Sequence, residues 1–188
     1  MFYFRNLAKI SLGQRDLYPR MAIYYVTTRC NFNCAYCEDF GARRNALQPE
    51  ALALADARRL LKIIRTGVDA LWLTGGEPLL APHLADLLAY ARREAKFRSL
   101  SLISNGSLLP LHPEILPLLD RLIVSLDSLD PAVWSALDMP IGYADNILDN
   151  IRVAARQQKK HGFQLMLNTV ITPAGLWRMT RGLRPWTR

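Results

Sequence analysis

The 188-residue chain has three cysteines and none after position 37. A disulfide framework needs an even number of cysteines spread along the chain, so a stapled extracellular scaffold is excluded. No apolar run approaches the length of roughly 18 residues that a membrane-spanning helix requires. The first residues, Met1 to Arg5, lack the continuous apolar core and small-residue cleavage site of a secretory signal, and with reduced thiols this sets the expectation of a cytoplasmic protein. Acidic residues are missing from 150–188, which carries 8 basic side chains, whereas 1–149 carries 16 basic and 16 acidic ones. The net charge of +8 therefore belongs to the C-terminal segment and the body is neutral. Without a periodic Lys/Arg face in that segment, nucleic acid is not the expected partner.

What is present is enough apolar sequence, 51% of residues, to bury the core of one domain. Two periods alternate along it. Strands are expected at 21–28, an apolar, β-branched and aromatic run, and at 69–74, 99–104, 122–126 and 163–171. Helices are expected at 47–67, 82–96, 130–137 and 145–160, with a short helical return at 113–119. Leu54, Ala57, Leu61 and Ile64 share one helical face, Pro49 suits a first turn, and Asp130-Pro131 reads as an N-cap followed by a first-turn proline. Repeated strand–helix–strand units imply an α/β fold, a parallel sheet with helices outside. Right-handed crossovers curl such a sheet toward a barrel, so the expectation is a partial (β/α) barrel of about five parallel strands. Residues 1–20 are an N-terminal extension, 21–172 the core and 173–188 an atypical basic tail.

The cysteines lie within one loop, as Cys30, Cys34 and Cys37, directly after the first strand. Structural zinc wants four N or S ligands, and His83, His112 and His161 are single and distant in sequence. Three thiolates on a tight loop suit a four-iron four-sulfur cube with one iron left without a protein ligand. In parallel barrels the chemistry gathers where strands end, and unusual residues recur there. Thr74-Gly75-Gly76-Glu77-Pro78 follows the second strand, Ser104-Asn105-Gly106 the third, and Ser125, Asp127 and Asp130 the fourth. Paired glycines at a strand–helix junction tolerate positive φ and let backbone come close to a ligand. Asn168 is a polar residue in an apolar strand, where it needs partners.

The spacing C-x-x-x-C-x-x-C with an aromatic before its last cysteine, followed by Gly-Gly-Glu-Pro, resembles the signature of the radical S-adenosylmethionine (radical SAM) enzymes. The segment Val124-Ser125-Leu126-Asp127-Ser128-Leu129-Asp130 is similar to that of the molybdenum-cofactor enzyme that rearranges GTP and of peptide-modifying members. The resemblance spans about residues 21–172. It implies that Cys30, Cys34 and Cys37 hold a [4Fe-4S] cluster whose open iron is chelated by S-adenosyl-L-methionine (SAM). It further implies an electron donor such as a flavodoxin or ferredoxin, and a 5'-deoxyadenosyl radical that takes hydrogen from a substrate.

For the cofactor, the resemblance assigns an adenine contact to Tyr36, the methionyl amino group to Gly75, Gly76, Glu77 and Pro78, and ribose and carboxylate contacts to Ser104, Ser125 and Asp127. Tyr36 otherwise reads as packing, and Asn168 either faces the cofactor cavity or caps backbone. Three positions depart from the GTP enzyme: Ile23 and Trp72 stand where it has arginines, and Met166 where it has a lysine. With no thiol after Cys37 for an auxiliary cluster, GTP chemistry is not expected, and a peptide is among the candidate substrates. The other classes are a non-catalytic binding module and a zinc-bound structural domain. Family barrels generally continue to a sixth strand, so the fifth strand followed by the tail 172–188 sets the expectation of a truncated member missing its sixth unit.

Overall fold

The computed structural model describes residues 2–37, 40, 51–140 and 144–171. Five strands form one sheet in the order β1-β2-β3-β4-β5, namely Ala22–Tyr25, Ala70–Thr74, Ser99–Ser104, Arg121–Ser125 and Gln164–Asn168. All four pairings are parallel. The partial barrel expected from the alternating periods is what the chain builds.

One face of the sheet is the core. Leu71, Leu73, Leu100, Leu102, Leu122 and Val124 are fully buried against an apolar cluster that includes Leu61, Leu87, Leu88, Ala91, Ile147 and Ala154 of the helices. Those helices are α2 (Leu54–Arg65), α3 (Leu84–Arg93) and α5 (Ala144–His161). Alternation along each strand puts Ile23, Tyr25, Trp72, Thr74, Ile103, Ile123 and Met166 on the opposite, inner face, and register aligns them as Ile23–Trp72, Tyr25–Thr74 and Ile123–Met166. That face is open. Ile23, Tyr25 and Met166 are each about half exposed, at 47%, 54% and 47%.

Several boundaries differ from the periodicity, each for a local reason. β1 stops at Tyr25 rather than 28 because the chain leaves the ladder to follow a turn: Val26 N still reaches Thr74 O at 2.8 Å, but the Thr27 carbonyl accepts from Gly76 N. β5 stops at Asn168 rather than 171 because Thr169 Oγ1 donates to Leu126 O and Val170 N to Asp127 Oδ1, taking both residues off the ladder. α2 begins at Leu54, where its apolar face begins, with Ala53 extended before it. The start expected at residue 47, with Pro49 in the first turn, lies outside the described residues. α3 is two residues late and three short of 82–96, preceded by a 3-10 turn at Pro78–Leu80 and stopped before Lys96, which has φ 58°. The return at Pro113–Leu118 is 3-10 rather than α. α4, Pro131–Ala136, opens as expected, with Asp130 Oδ1 accepting from Ala132 N at 2.8 Å.

The N-terminal extension contains a helix that the sequence reading did not anticipate, α1 (Phe2–Ser11). Asn6 holds its return by exchanging two bonds of 2.8 Å with the backbone of Tyr18. Among the described residues no helix is long and apolar enough to cross a membrane. The basic tail, 173–188, lies outside the described residues.

Candidate metal centre

The cysteine loop leaves β1 at the C-terminal end of the sheet and is held on three sides. Phe32 is buried and meets Trp134 of α4 edge-on, with ring centroids 6.5 Å apart. Ala35 N donates to Leu137 O at 2.8 Å, tying the loop to the end of α4. Asn31 reaches across to the loop after β3. The third side is the Gly-Gly turn: Gly76 N donates to Thr27 O at 3.0 Å and Glu77 N to Arg29 O at 2.7 Å.

The turn glycines are needed for closeness, not for the positive φ that their pairing suggested. Positive φ occurs at Gly13, Gly106 and Gly162, and at neither Gly75 nor Gly76. A Cβ on Gly75 would lie 2.3 Å from Thr27 O, and one on Gly76 would lie 2.3 Å from Arg29 O. Both distances are too short for any side chain, so the backbone running into Cys30 is packed on the glycine backbone itself.

None of the three cysteines is in a disulfide, and all are half-buried. Burial pushes the thiols of Cys30 and Cys34 up to about 11. They stay protonated at neutral pH unless a metal displaces the protons. Three free cysteines on one loop are the donor set that a four-iron cube with one open iron would take, one thiolate to each of three irons.

Glu77 is fully buried beneath the loop. Its Oε1 accepts from Leu79 N at 3.0 Å and Ser104 Oγ at 2.8 Å, and its Oε2 from Asn105 N at 2.8 Å. Desolvation nevertheless lifts its carboxyl to about 7, since these donors offset burial only in part. Ser104 is buried too and accepts from Gly106 N at 3.0 Å, so its hydroxyl is engaged within the chain on both counts. Pro78 is buried at the start of the 3-10 turn.

On the opposite side of the cysteine loop, Tyr36 OH donates to Asp127 Oδ2 at 2.5 Å while Asp127 Oδ1 accepts from Val170 N at 2.8 Å. Burial, with the bond to Asp127 behind it, raises the Tyr36 phenol well above its ordinary range. Asp127 is buried and Tyr36 is 38% exposed at the mouth. Ser125 and Asn168 are register partners on the inner face, and Leu126 N donates to Asn168 O at 2.9 Å.

The structure thus gathers the sequence-selected residues at one end of the sheet, in two groups. Gly75, Gly76, Glu77, Pro78 and Ser104 lie under the Cys30 side. Tyr36, Asp127, Ser125 and Asn168 lie toward β4 and β5. Asn31, Ser107, Trp134 and Asn150 were not singled out from the sequence, and Asn105 read only as a polar loop residue. Asn31 beside a ligand cysteine and the Asn105-Gly106 pair were the available signals. A cavity of about 520 Å³ lies elsewhere, between Pro113–Leu118 and α5, lined by Leu109, Leu116, Val153 and Lys160. It is on the helix side of the sheet and away from the cysteines.

Residues 24–177 match the sequence family described as the Radical SAM superfamily. Among curated relatives, GTP 3',8-cyclase of Acidothermus cellulolyticus is 40% identical over 158 residues, covering 78% of this chain and 41% of that protein. GTP 3',8-cyclase of Nostoc sp. is 36% identical over 154 residues, covering 77% of this chain and 45% of that protein. The chain therefore spans less than half the length of these relatives. Among solved structures, Streptococcus suis SuiB bound to S-adenosylmethionine superposes with a TM-score of 0.66 at 20% identity, over 95% of this chain and 41% of that one. The structure of anSMEcpe with bound AdoMet gives 0.62 at 18% identity, over 86% of this chain and 46% of that one. Those two likenesses concern the fold.

Proposed function

The chain belongs to the radical SAM superfamily, and from that premise we propose that it holds a [4Fe-4S] cluster on Cys30, Cys34 and Cys37 and serves reductive cleavage of SAM to a 5'-deoxyadenosyl radical that abstracts hydrogen from a substrate. The observation carrying this reading is the zipper between the Gly-Gly-Glu turn and the backbone entering Cys30, with no room for a Cβ at either glycine. It makes the cysteine loop and the turn one rigid unit, and such preorganisation is what a cofactor spanning both requires. The bound groups supply the electron and the radical; the chain supplies position and exclusion of water.

Within that unit the residues divide their work. Three thiolates hold the irons. The Gly75–Gly76 turn, its missing side chains giving room to the backbone that enters Cys30, would present backbone carbonyls to the methionyl amino group, and buried Glu77 braces the turn. Ser125 and Asn168, side by side on the inner face, are placed for ribose or carboxylate contacts. Tyr36 and Asp127 close the β4 side, and an adenine-sized ring entering there must displace or stack on Tyr36. Ile123 and Met166 line the inner face behind them and keep it apolar. The electron comes from a donor such as a flavodoxin or ferredoxin.

The substrate has two readings. The identity to GTP 3',8-cyclases favours GTP. Against it, the inner-face positions of the described strands include a single cation, Arg121, at the N-terminal end of β4. It is engaged with Ser99 Oγ at 3.0 Å and Gln164 Oε1 at 3.2 Å. A triphosphate wants several cations, whereas Ile23, Tyr25, Trp72 and Met166 suit a neutral group such as a peptide side chain. Anaerobic reconstitution with iron and sulfide, followed by electron paramagnetic resonance with and without SAM, tests the chemistry. A cluster signal that shifts on adding SAM, with 5'-deoxyadenosine formed under dithionite, is expected. An intact cluster with neither response would leave a non-catalytic binding module. Adding GTP to the same reaction and looking for its consumption separates the two substrate readings.

A further inference from the structure

Three side chains outside the cysteine and glycine motifs close a ring. Asn105 Nδ2 donates to Asn31 Oδ1 at 2.9 Å, Asn31 Nδ2 to Ser107 Oγ at 2.9 Å, and Ser107 Oγ to Asn105 Oδ1 at 2.7 Å. Each member gives one bond and takes one. Ser107 N also donates to Asn105 Oδ1 at 3.0 Å, which fixes the orientation of that amide and with it the direction of the whole ring. The loop carrying Asn105 and Ser107 is itself fixed from two directions: Asn105 N donates to Glu77 Oε2 at 2.8 Å, and Asn150 Nδ2 of α5 donates to Gly106 O at 3.0 Å. Asn31 directly follows Cys30. The far half of the cysteine loop is held independently, through Ala35 N to Leu137 O.

We propose that the Asn31–Asn105–Ser107 ring is a positioning device for Cys30, fixing the first thiolate against the Glu77-anchored loop after β3. None of the three need touch SAM or iron. The inference rests on the reading of the cysteines as cluster ligands, and it assigns the ring the part that hydrogen-bonded partners behind a metal ligand commonly play, worth about 10–100-fold in metal affinity. Cys30 lies directly beside the ring, with Phe32 N also donating to its Sγ at 3.4 Å, whereas Cys37 lies on the half of the loop tied to α4 through Ala35.

The test uses the full chain and three variants. Ser107→Ala removes the hydroxyl that serves two ring bonds, Ser107→Thr keeps it, and Asn31→Leu replaces the amide by an apolar group of similar size. In the metal-free proteins, alkylation by iodoacetamide is followed at each cysteine by mass spectrometry. Cys30 is expected to react several-fold faster in Ser107→Ala and Asn31→Leu, Cys37 to keep its rate, and Ser107→Thr to restore Cys30. In the reconstituted proteins, iron should pass to a chelator about tenfold faster in the first two variants, with altered g-values, and at the wild-type rate in Ser107→Thr. Wild-type alkylation of Cys30 in Ser107→Ala overturns the proposal, as does equal acceleration at all three cysteines. If Asn31→Leu fails to fold, the Ala and Thr variants at Ser107, which lies off the cysteine loop, decide alone. Failure of the wild-type chain to take up iron and sulfide would refute the cluster reading, while the alkylation arm still decides whether the ring holds Cys30.

Discussion

A Cβ at Gly76 would stand 2.3 Å from the Arg29 carbonyl oxygen, one residue before the first ligand cysteine. The consequence of Gly76→Val is therefore broader than loss of a cofactor contact. The variant must push the chain away from the turn at Arg29, so iron uptake after reconstitution should fall well below the wild type's, together with any response to SAM. Full iron content with only the SAM response lost would mean the turn yields without moving Cys30. Glu77 supplies a second residue-scale prediction. Burial raises its carboxyl from 4.5 to about 7, so the folded state prefers the protonated form. The stability this contributes is complete below about pH 4.5 and is lost as pH rises through about 7, amounting to about 3 kcal/mol at most. Glu77→Gln does not titrate. The thermal midpoint of the metal-free protein should accordingly fall from pH 5 to pH 8 more steeply in the wild type than in Glu77→Gln, and parallel profiles would refute the assignment.

At the scale of elements, α4 is short, yet two of its features bear on the site. Trp134 receives Phe32, and the carbonyl of Leu137 at its end accepts from Ala35. The helix opens on the side-chain cap from Asp130, with Pro131 in its first turn. Trp134 Nε1 is fixed on Ser128 O at 2.6 Å, so the platform is keyed to the segment leaving β4. Asp130→Ala removes the cap at a cost of about 1 kcal/mol. The expected result is a thermal midpoint lower by a few degrees, with faster hydrogen exchange at the Ala35 amide. Unchanged exchange at Ala35 would show that the loop does not depend on α4 for its hold. On the other side of the cysteine loop, the Gly-Gly turn and the β3 loop form a second platform joined by Glu77.

The whole molecule is an arc of sheet with two open edges among the described residues, since β1 pairs only with β2 and β5 only with β4. β5 carries Met166 at 47% and Leu167 at 56% exposure, and Ile171 beyond it is 68% exposed. An unpaired strand with such side chains is a template for another chain. The 188-residue protein is expected to self-associate with rising concentration, and Leu167→Lys to reduce that association while changing stability by less than about 0.5 kcal/mol. Sedimentation velocity measures both; a concentration-independent monomer would dismiss the edge as the cause. The same arc leaves the inner-face side chains of its edge strands, Ile23, Tyr25 and Met166, about half exposed, which is where a substrate or further polypeptide must lie if water is to be kept from the cofactor.

The amino-acid sequence determined the alternation of strands and helices, the parallel sheet and the place of the cysteine loop, because strand and helix periods and local cysteine spacing are short-range properties. Residues 99–104 match β3 to the residue for that reason, as a short run alternating serine with leucine that ends at the polar Asn105-Gly106 loop. The helix α1 escaped notice because its fixing contacts come from Asn6 and Tyr18, 12 positions apart, rather than from a buried stripe. The role of the turn glycines was legible as closeness but not as to what they approach, since the Thr27 and Arg29 carbonyls come from another strand's exit. Glu77 and Ser104 are carried on different strands, 27 positions apart, and only the side-by-side placement of β2 and β3 joins them into one buried bond. The ring of Asn31, Asn105 and Ser107 was likewise decided by tertiary structure alone, because no periodicity brings residues 76 positions apart within 2.9 Å.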